Sequence, residues 1–384
     1  MKLEYTDAQK KFRAEIRAWL AAEVPKQPLP SFDTQEGFLM HRAWEAKLYE
    51  GRWSAVTWPE ELGGRGCDLT SWLIFEEEYW AAGAPLRVNQ NGLFLLAPTL
   101  MEHGTEEQKK KFLPRMAQGL DIWAQGWSEP GAGSDMAAIR CKAVKDGDHY
   151  VINGQKTWST RAVWADMLFG LFRSDPESQR HHGLTFILLP LNLEGISIRP
   201  IRQLNGLPGF AEIFFDNVRV PVENRLGAEG QGWSVAMSTA GFERGLILRS
   251  PARFQKTAQN LVELYRRRRP EADADPAIRD AVIKSWMDAE AYTTATYATV
   301  GRLARGGQIG AEASTNKIFW SELDLLMHET AMRILGARGE LLHDKESAHW
   351  LDGFLFAQAG PIYAGTNEIQ RNIIAERMLG LPRA

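Results

Sequence analysis

The chain has 384 residues, enough for two or three packed regions rather than one core. With 44% hydrophobic and 24% charged residues it is an ordinary globular composition, and a formal net charge of −3 gives no broad basic face for nucleic acid. Cys67 and Cys141 make neither a disulfide framework nor a metal site, the N-terminus lacks a signal-peptide apolar stretch, and no run reaches the roughly 20 apolar residues of a membrane span; a reducing cytoplasm is the expected location.

The chain to about residue 115 reads as helices joined by loops. Thr6 and Gln9 form a capping box, and Phe12, Ile16, Trp19 and Leu20 follow at helical spacing until Pro25. Further helices are predicted over Glu36–Glu50, Ser71–Ala82 and Thr105–Gln118, with the Gly-rich loop Trp58–Gly66 between the first two. From about Leu120 to Leu226 the signals are short strands and turns. Asp146-Gly147 and Asn153-Gly154 read as hairpin turns, and Leu184–Leu189 as a buried strand. Ala211–Phe215 reads as another strand, ending at Asp216-Asn217, with Val218–Pro221 closing the section. Turns about every ten residues suit a small antiparallel barrel. Helical periodicity then returns, over Trp233–Arg268, Pro276–Ala304, Gln308–Leu335 and Asn367–Met378. Helices, then strands, then helices is a segregated α+β order, with expected domains at 1–118, 119–228 and 229–384. No G-x-G-x-x-G follows an early strand, which argues against a Rossmann fold.

Three segments carry candidate chemistry. In Trp127-Ser128-Glu129-Pro130-Gly131-Ala132-Gly133-Ser134-Asp135, small residues let backbone approach a bulky ligand, and Ser128 and Ser134 offer hydroxyls. The same letters also make a plain tight turn. In Lys156-Thr157-Trp158-Ser159-Thr160, strand alternation sets an indole beside a hydroxyl, which suits a stacked ring or a core tryptophan. In Ala364-Gly365-Thr366-Asn367-Glu368-Ile369-Gln370-Arg371, Thr366 is an N-cap whose neighbouring N–H groups suit an oxyanion, or only a capped surface helix.

Together, in this order, these segments resemble the acyl-CoA dehydrogenase family across nearly the whole chain. The matching letters are Ser128-Glu129-Pro130-x-x-Gly133-Ser134-Asp135, Lys156-x-Trp158-x-Thr160, Phe214-Phe215-x-Asn217-Val218-x-Val220-Pro221 and Gly365-Thr366-Asn367-Glu368-Ile369-Gln370-Arg371-Asn372. The resemblance implies an N-terminal helical domain, a central antiparallel β-barrel and a C-terminal four-helix bundle, with FAD between barrel and C-terminal helices. It implies that Trp127, Ser128, Trp158 and Thr160 meet the flavin ring, that Ser134 lies near the CoA chain, and that Thr366 and Glu368 contact FAD. The implied activity is α,β-dehydrogenation of an acyl-CoA by a tetramer, homomeric or with a paralogous subunit, passing electrons to an electron-transfer flavoprotein. An oxidase of the same fold is the other enzyme the resemblance admits, and a half-site or non-catalytic subunit of a heteromer is the third reading.

Many family members carry the proton-abstracting Glu immediately before the Gly-Thr of the last motif, where this chain has Ala364. Members similar to the isovaleryl and long-chain types carry it on the first long C-terminal helix, just before an Arg. Here that place reads Gly241-Phe242-Glu243-Arg244-Gly245, so Glu243 is the expected base, with Phe242, Arg244 and Ala364 beside the substrate. The Ala364 N–H is the implied donor to the thioester oxygen. Two FAD-binding segments depart from the family pattern: Arg333–Gly339 replaces Gln-x-x-Gly-Gly-x-Gly, and Tyr265–Asp273 replaces Arg-x-x-Phe-Gly. Either the new arginines meet the pyrophosphate or a paralogous chain completes the site.

Overall fold

The computed structural model describes residues 4–244, 250–273, 275–307, 309–342 and 344–382; the side chains of residues 242–244 and 271 lie outside that description. In chain order the helices are α1 (Asp7–Glu23), α2 (Gln35–Glu50), α3 (Leu69–Ala81), a π-helical turn Asn91–Leu96 running into α4 (Ala97–His103), and α5 (Glu106–Ala117). The strands follow: β1 (Trp123–Gly126), β2 (Lys142–Asp146), β3 (His149–Thr160), β4 (Met167–Arg173), β5 (Leu184–Pro190), β6 (Ile196–Ile201), β7 (Phe210–Pro221) and β8 (Arg225–Leu226). The last part holds α6 (Gly232–Arg244), α7 (Pro251–Arg267), α8 (Arg269–Ala272), α9 (Pro276–Leu303), α10 (Ala313–Leu335), α11 (Lys345–Ala357) and α12 (Asn367–Ile373), which runs into a π-turn to Met378. The chain forms two compact units. One, the sheet unit, comprises residues 25–67 and 85–243; the other, the helical unit, comprises residues up to Val24, 68–84 and 244 onward.

In the sheet unit the eight strands form one sheet in the order β6-β7-β3-β2-β4-β5-β8, with β1 beside β4. Most pairings are antiparallel, as expected, but β1–β4 and β2–β4 are parallel, so the sheet is mixed. Strand β4 is buried at every residue and β5 at all but Pro190, which is why both read as continuous apolar runs. Leu168, Phe172, Ile187 and Leu189 from these strands join Tyr150, Ile152, Ile213 and Phe215 in the core.

The Asp146-Gly147 turn joins β2 to β3 as expected, but Asn153-Gly154 does not turn the chain. It lies within β3, at a bulge where Asp216 and Asn217 of β7 oppose Asn153 alone. Gly154 sits at φ +138°, and a Cβ there would come within 2.8 Å of the Cys141 sulfur. The bulge also explains why β7 looked like two strands: its inward residues change phase at Asp216-Asn217, from Ala211, Ile213 and Phe215 to Val218 and Val220. A second bulge, on β3, sets Thr157 and Trp158 against Glu212.

In the helical unit α7, α9, α10 and α11 supply a core of Phe254, Leu261, Val282, Tyr292, Trp320, Met327 and Trp350. The single helix expected over Trp233–Arg268 is two. Helix α7 starts afresh at Pro251, behind the Ser250 cap, a position where the missing proline N–H costs nothing. Helix α11 was not expected. Its Gly353 allows a close approach to α10, because a Cβ there would lie 2.3 Å from the His328 ring. Arg13 and Arg17 on α1 pair with Glu78 on α3.

Candidate active site

Strand β1 delivers Trp127 into the sheet unit, where its buried indole meets Phe169 and Phe186 edge-on at 6.3 Å each. Its Nε1–H finds no acceptor among the described residues. The chain then makes a tight turn: Glu129 and Ala132 exchange both backbone hydrogen bonds at 3.0 Å around Pro130-Gly131. The Ser128 carbonyl accepts the Thr157 N–H at 2.9 Å, which brings the first two sequence segments side by side.

Lys156 fastens this junction from behind. It is 0% exposed, and its ammonium donates to the Trp127 carbonyl (3.2 Å), the Leu171 carbonyl (2.6 Å) and Glu129 Oε1 (2.8 Å). All three ammonium protons are therefore used. The Glu129 carboxylate also accepts the backbone N–H groups of Arg140 (2.6 Å) and Cys141 (2.9 Å). Because a trans peptide points its C=O and N–H in opposite directions, turning the Trp127 carbonyl toward Lys156 turns the Ser128 N–H away from it. The Ser128 and Thr160 hydroxyls make no hydrogen bond to protein among the described residues.

The second bulge shapes the neighbouring edge. Trp158 takes φ +59°, a conformation a bulky residue rarely holds, and it is 59% exposed, edge-on to Phe210 at 6.0 Å. Ser159 is buried and Thr160 half-buried. Trp127, Ser128, Trp158 and Thr160 thus belong to one neighbourhood: an exposed indole, two unengaged hydroxyls and a backbone N–H facing outward. That inventory fits a flat ring with polar edges. Ser134 stands further along the loop, exposed, beside Asp135, which pairs with Arg180 at 3.0 Å.

The helical unit carries the third segment. Thr366 caps α12, its hydroxyl accepting the Ile369 N–H at 3.3 Å. Glu368 is exposed; its own backbone N–H and the Thr366 hydroxyl hold its carboxyl below the ordinary value. Ala364 sits at φ +58° and Gly365 at φ +80°. The Gln370 amide donates to the carbonyls of both, at 3.0 and 3.2 Å. Asn367 is buried against Lys317 (2.8 Å) and Ser321 (3.1 Å) and donates its N–H to the Pro361 carbonyl.

Glu243 lies in the last turn of α6, with Phe242 and Arg244 beside it; the side chains of all three fall outside the described residues. Four of the six arginines in the two substituted segments are committed within the chain. Arg267 and Arg268 both grip Glu346, at 2.6 and 3.0 Å, Arg269 pairs with Asp273 at 3.0 Å, and Arg333 pairs with Asp275 at 2.8 Å. Burial works to raise the Glu346 carboxyl, but the two guanidinium groups outweigh it and hold it low. Sequence reasoning gave no role to Lys156, Glu129 or Gln370. The available signal was a glutamine on the inward face of a helix, demanding an internal partner, whereas Lys156 stands among polar residues of β3 and gave none.

The chain matches three sequence patterns end to end: acyl-CoA dehydrogenase N-terminal domain over residues 6–120, middle domain over 124–218 and C-terminal domain over 230–379. It is 41% identical over 379 residues to acyl-CoA dehydrogenase IpdE1 of Mycobacterium tuberculosis, covering 97% of both chains. The chain belongs to the acyl-CoA dehydrogenase family. This is an oxidoreductase family of FAD-dependent flavoproteins, and the exposed Trp158 indole with the unengaged Ser128 and Thr160 hydroxyls fits that cofactor's flat, polar-edged ring. Among solved acyl-CoA dehydrogenase folds, the Mycobacterium tuberculosis ChsE4-ChsE5 complex matches with a TM-score of 0.83 and 32% identity, and the Tcur3481-Tcur3483 steroid ACAD with 0.86 and 28%; both cover 100% of each chain. No helix among the described residues is long and apolar enough to cross a membrane.

Proposed function

We propose that this chain catalyses the α,β-dehydrogenation of an acyl-CoA thioester to the trans-2-enoyl-CoA, with electrons passing on to an electron-transfer flavoprotein, as one subunit of a heteromeric assembly. The observation that carries the heteromeric part is the commitment of Arg267, Arg268, Arg269 and Arg333 to carboxylates of their own chain. These residues occupy the segments that in the family reach a neighbour's cofactor. With their charges already paired, they leave that half of the cofactor's contacts to a paralogous partner. Likeness to the ChsE4-ChsE5 complex and to the Tcur3481-Tcur3483 steroid ACAD, each of two components, supports a bulky, ring-bearing acyl group.

FAD, held by Trp127, Ser128, Trp158 and Thr160, would supply the oxidant for loss of the β-hydrogen with its electron pair. The protein's residues do the rest. Glu243 takes the α-proton, the only side chain so placed by sequence once Ala364 is apolar. The Ala364 N–H donates to the thioester oxygen as negative charge builds there. Ser128, Trp158 and Thr160 orient the ring, and Ser134 borders the CoA chain.

The test is a visible spectrum of the protein, alone and co-purified with a paralogous subunit, before and after anaerobic addition of acyl-CoAs that differ in ring content. Bleaching by one thioester class is the expected result, and Glu243→Gln should slow it by about 10²–10⁴-fold, the usual worth of a general base. Undiminished bleaching in Glu243→Gln removes Glu243 from the mechanism.

A further inference from the structure

The Ala364-Gly365 turn is held in a conformation that its sequence alone disfavours. A left-handed φ costs an alanine about 1 kcal/mol or more, because its Cβ crowds the following carbonyl. Ala364 nonetheless sits at φ +58°. What holds it there is Gln370, 0% exposed, whose side-chain nitrogen donates to the carbonyls of both Ala364 (3.0 Å) and Gly365 (3.2 Å). Two carbonyls call for the nitrogen, so the amide orientation is settled by its partners. Its Oε1 is left buried with no donor among the described residues. A buried acceptor without a partner is unfavourable by roughly 1–3 kcal/mol, so this glutamine is poorly explained as a stability device.

Peptide planarity says what the arrangement achieves. Each carbonyl turned inward to Gln370 forces the N–H of the next residue outward, so the N–H groups of Gly365 and Thr366 face away from the helix. The fixed φ of Ala364 then sets its own N–H relative to the anchored carbonyl. The frame behind is rigid: Asn367, next to the turn, is buried against Lys317 and Ser321 and ties back to the Pro361 carbonyl.

We propose that Gln370 is a positioning residue for the dehydrogenation: by holding the carbonyls of Ala364 and Gly365 it aims the Ala364 N–H at the thioester oxygen. It touches neither substrate nor cofactor and acts only through the backbone. The proposal rests on the reading of Ala364 as the donor residue given above. Because enolate-like charge exists only after the α-proton has begun to leave, a misaimed donor raises the barrier more than it weakens substrate binding.

The experiment compares the flavin-loaded wild-type assembly with Gln370→Met, which keeps the volume and removes the donor. The probe is a 3-thiaacyl-CoA, whose β-position is sulfur, so it can lose the α-proton but has no β-hydrogen to give. Its anion beside oxidised flavin is read as a long-wavelength absorption band, and titrating that band with pH reads the acidity of the α-proton in the site. Gln370→Met should move the midpoint up by about one pH unit and lower kcat about 10- to 100-fold, with KM changed less than about threefold. Adding Ala364→Gly, which removes the Cβ penalty at positive φ, should recover part of both losses. A melting temperature that falls while midpoint and kcat stay at wild-type values overturns the proposal and leaves Gln370 a packing residue. A wild-type assembly that holds flavin yet gives no band and no turnover with any thioester overturns the dehydrogenase reading, and the proposal with it.

Discussion

Two turns in this molecule are held from behind by one buried side chain each, and the two solutions differ. In the sheet unit the Ser128 turn is held by Lys156, a full charge with all three protons engaged and a carboxylate partner in Glu129. In the helical unit the Ala364 turn is held by Gln370, neutral, with its nitrogen on two carbonyls and its oxygen unused. A charged latch is costly to bury and more costly to break, because removing one partner strands the other. A neutral latch is cheaper on both counts. The sheet unit thus invests in a junction whose loss damages the fold, and the helical unit in one whose loss mainly misaims backbone.

The sharpest way to break this comparison is Lys156→Met, which leaves Glu129 buried without its cation. Chemical denaturation should show a loss of about 3–5 kcal/mol. Thiol labelling adds a local readout, since Cys141 donates its backbone N–H to Glu129 and burial pushes its thiol up to about 12. In the native protein only Cys67, which is partly accessible, should react near pH 8, and Lys156→Met should bring Cys141 into reach. Adding Glu129→Gln to Lys156→Met removes the stranded charge and should recover part of the loss. Gln370→Met should cost only about 1–3 kcal/mol, two carbonyls losing a neutral donor. If it destabilises as much as Lys156→Met, the contrast between the two latches is wrong.

The smallest effect is expected from acid. Burial works to raise the Glu78 carboxyl, but hydrogen bonds from Arg17 and Arg13 prevail and hold it below its ordinary value. A carboxyl lowered by folding contributes stability that is present above its unfolded pKa and lost as pH falls through the folded one. The α1–α3 contact should therefore weaken at pH values below the usual carboxylate range, while the neutral Gln370 latch in the same unit stays unaffected. Hydrogen exchange of α1 and of residues 361–370 across that pH range would show one loosening without the other. Equal loosening would mean that the helical unit opens as a whole.

Much of this was legible in the chain. The Thr6–Gln9 box, the Asp146-Gly147 turn and the apolar run of β5 are local signals with one strong reading each, and the structure realises them. Asn153-Gly154 misled because a left-handed glycine serves a bulge as well as a turn, and only the partner strand decides which. The break before Pro251 was hidden because helical periodicity resumes on both sides of it. Helix α11 was masked by Gly353, a residue explained by its neighbour His328 rather than by its own helix. In the candidate site Trp127, Ser128, Trp158 and Thr160 were singled out by their motifs. The latches were not, since Lys156 gains meaning only from Trp127, Glu129 and Leu171, which the fold brings together.

The two bulges on the β3–β7 pair also carry an arithmetic. At the first, β7 holds one residue more than β3; at the second, near Trp158, β3 holds one more than β7. The surpluses cancel: both strands have 12 residues, and the offset that pairs His149 with Pro221 returns at Thr160 with Phe210. Only the stretch between the bulges is displaced. Deleting the surplus residue at a bulge would leave the pairs on both sides of it in register and remove the local kink, whereas deleting one elsewhere in either strand would slip every side chain beyond it onto the wrong face. The two bulges are thus the places along these strands where a change of length by one residue is absorbed locally instead of being passed down the pair.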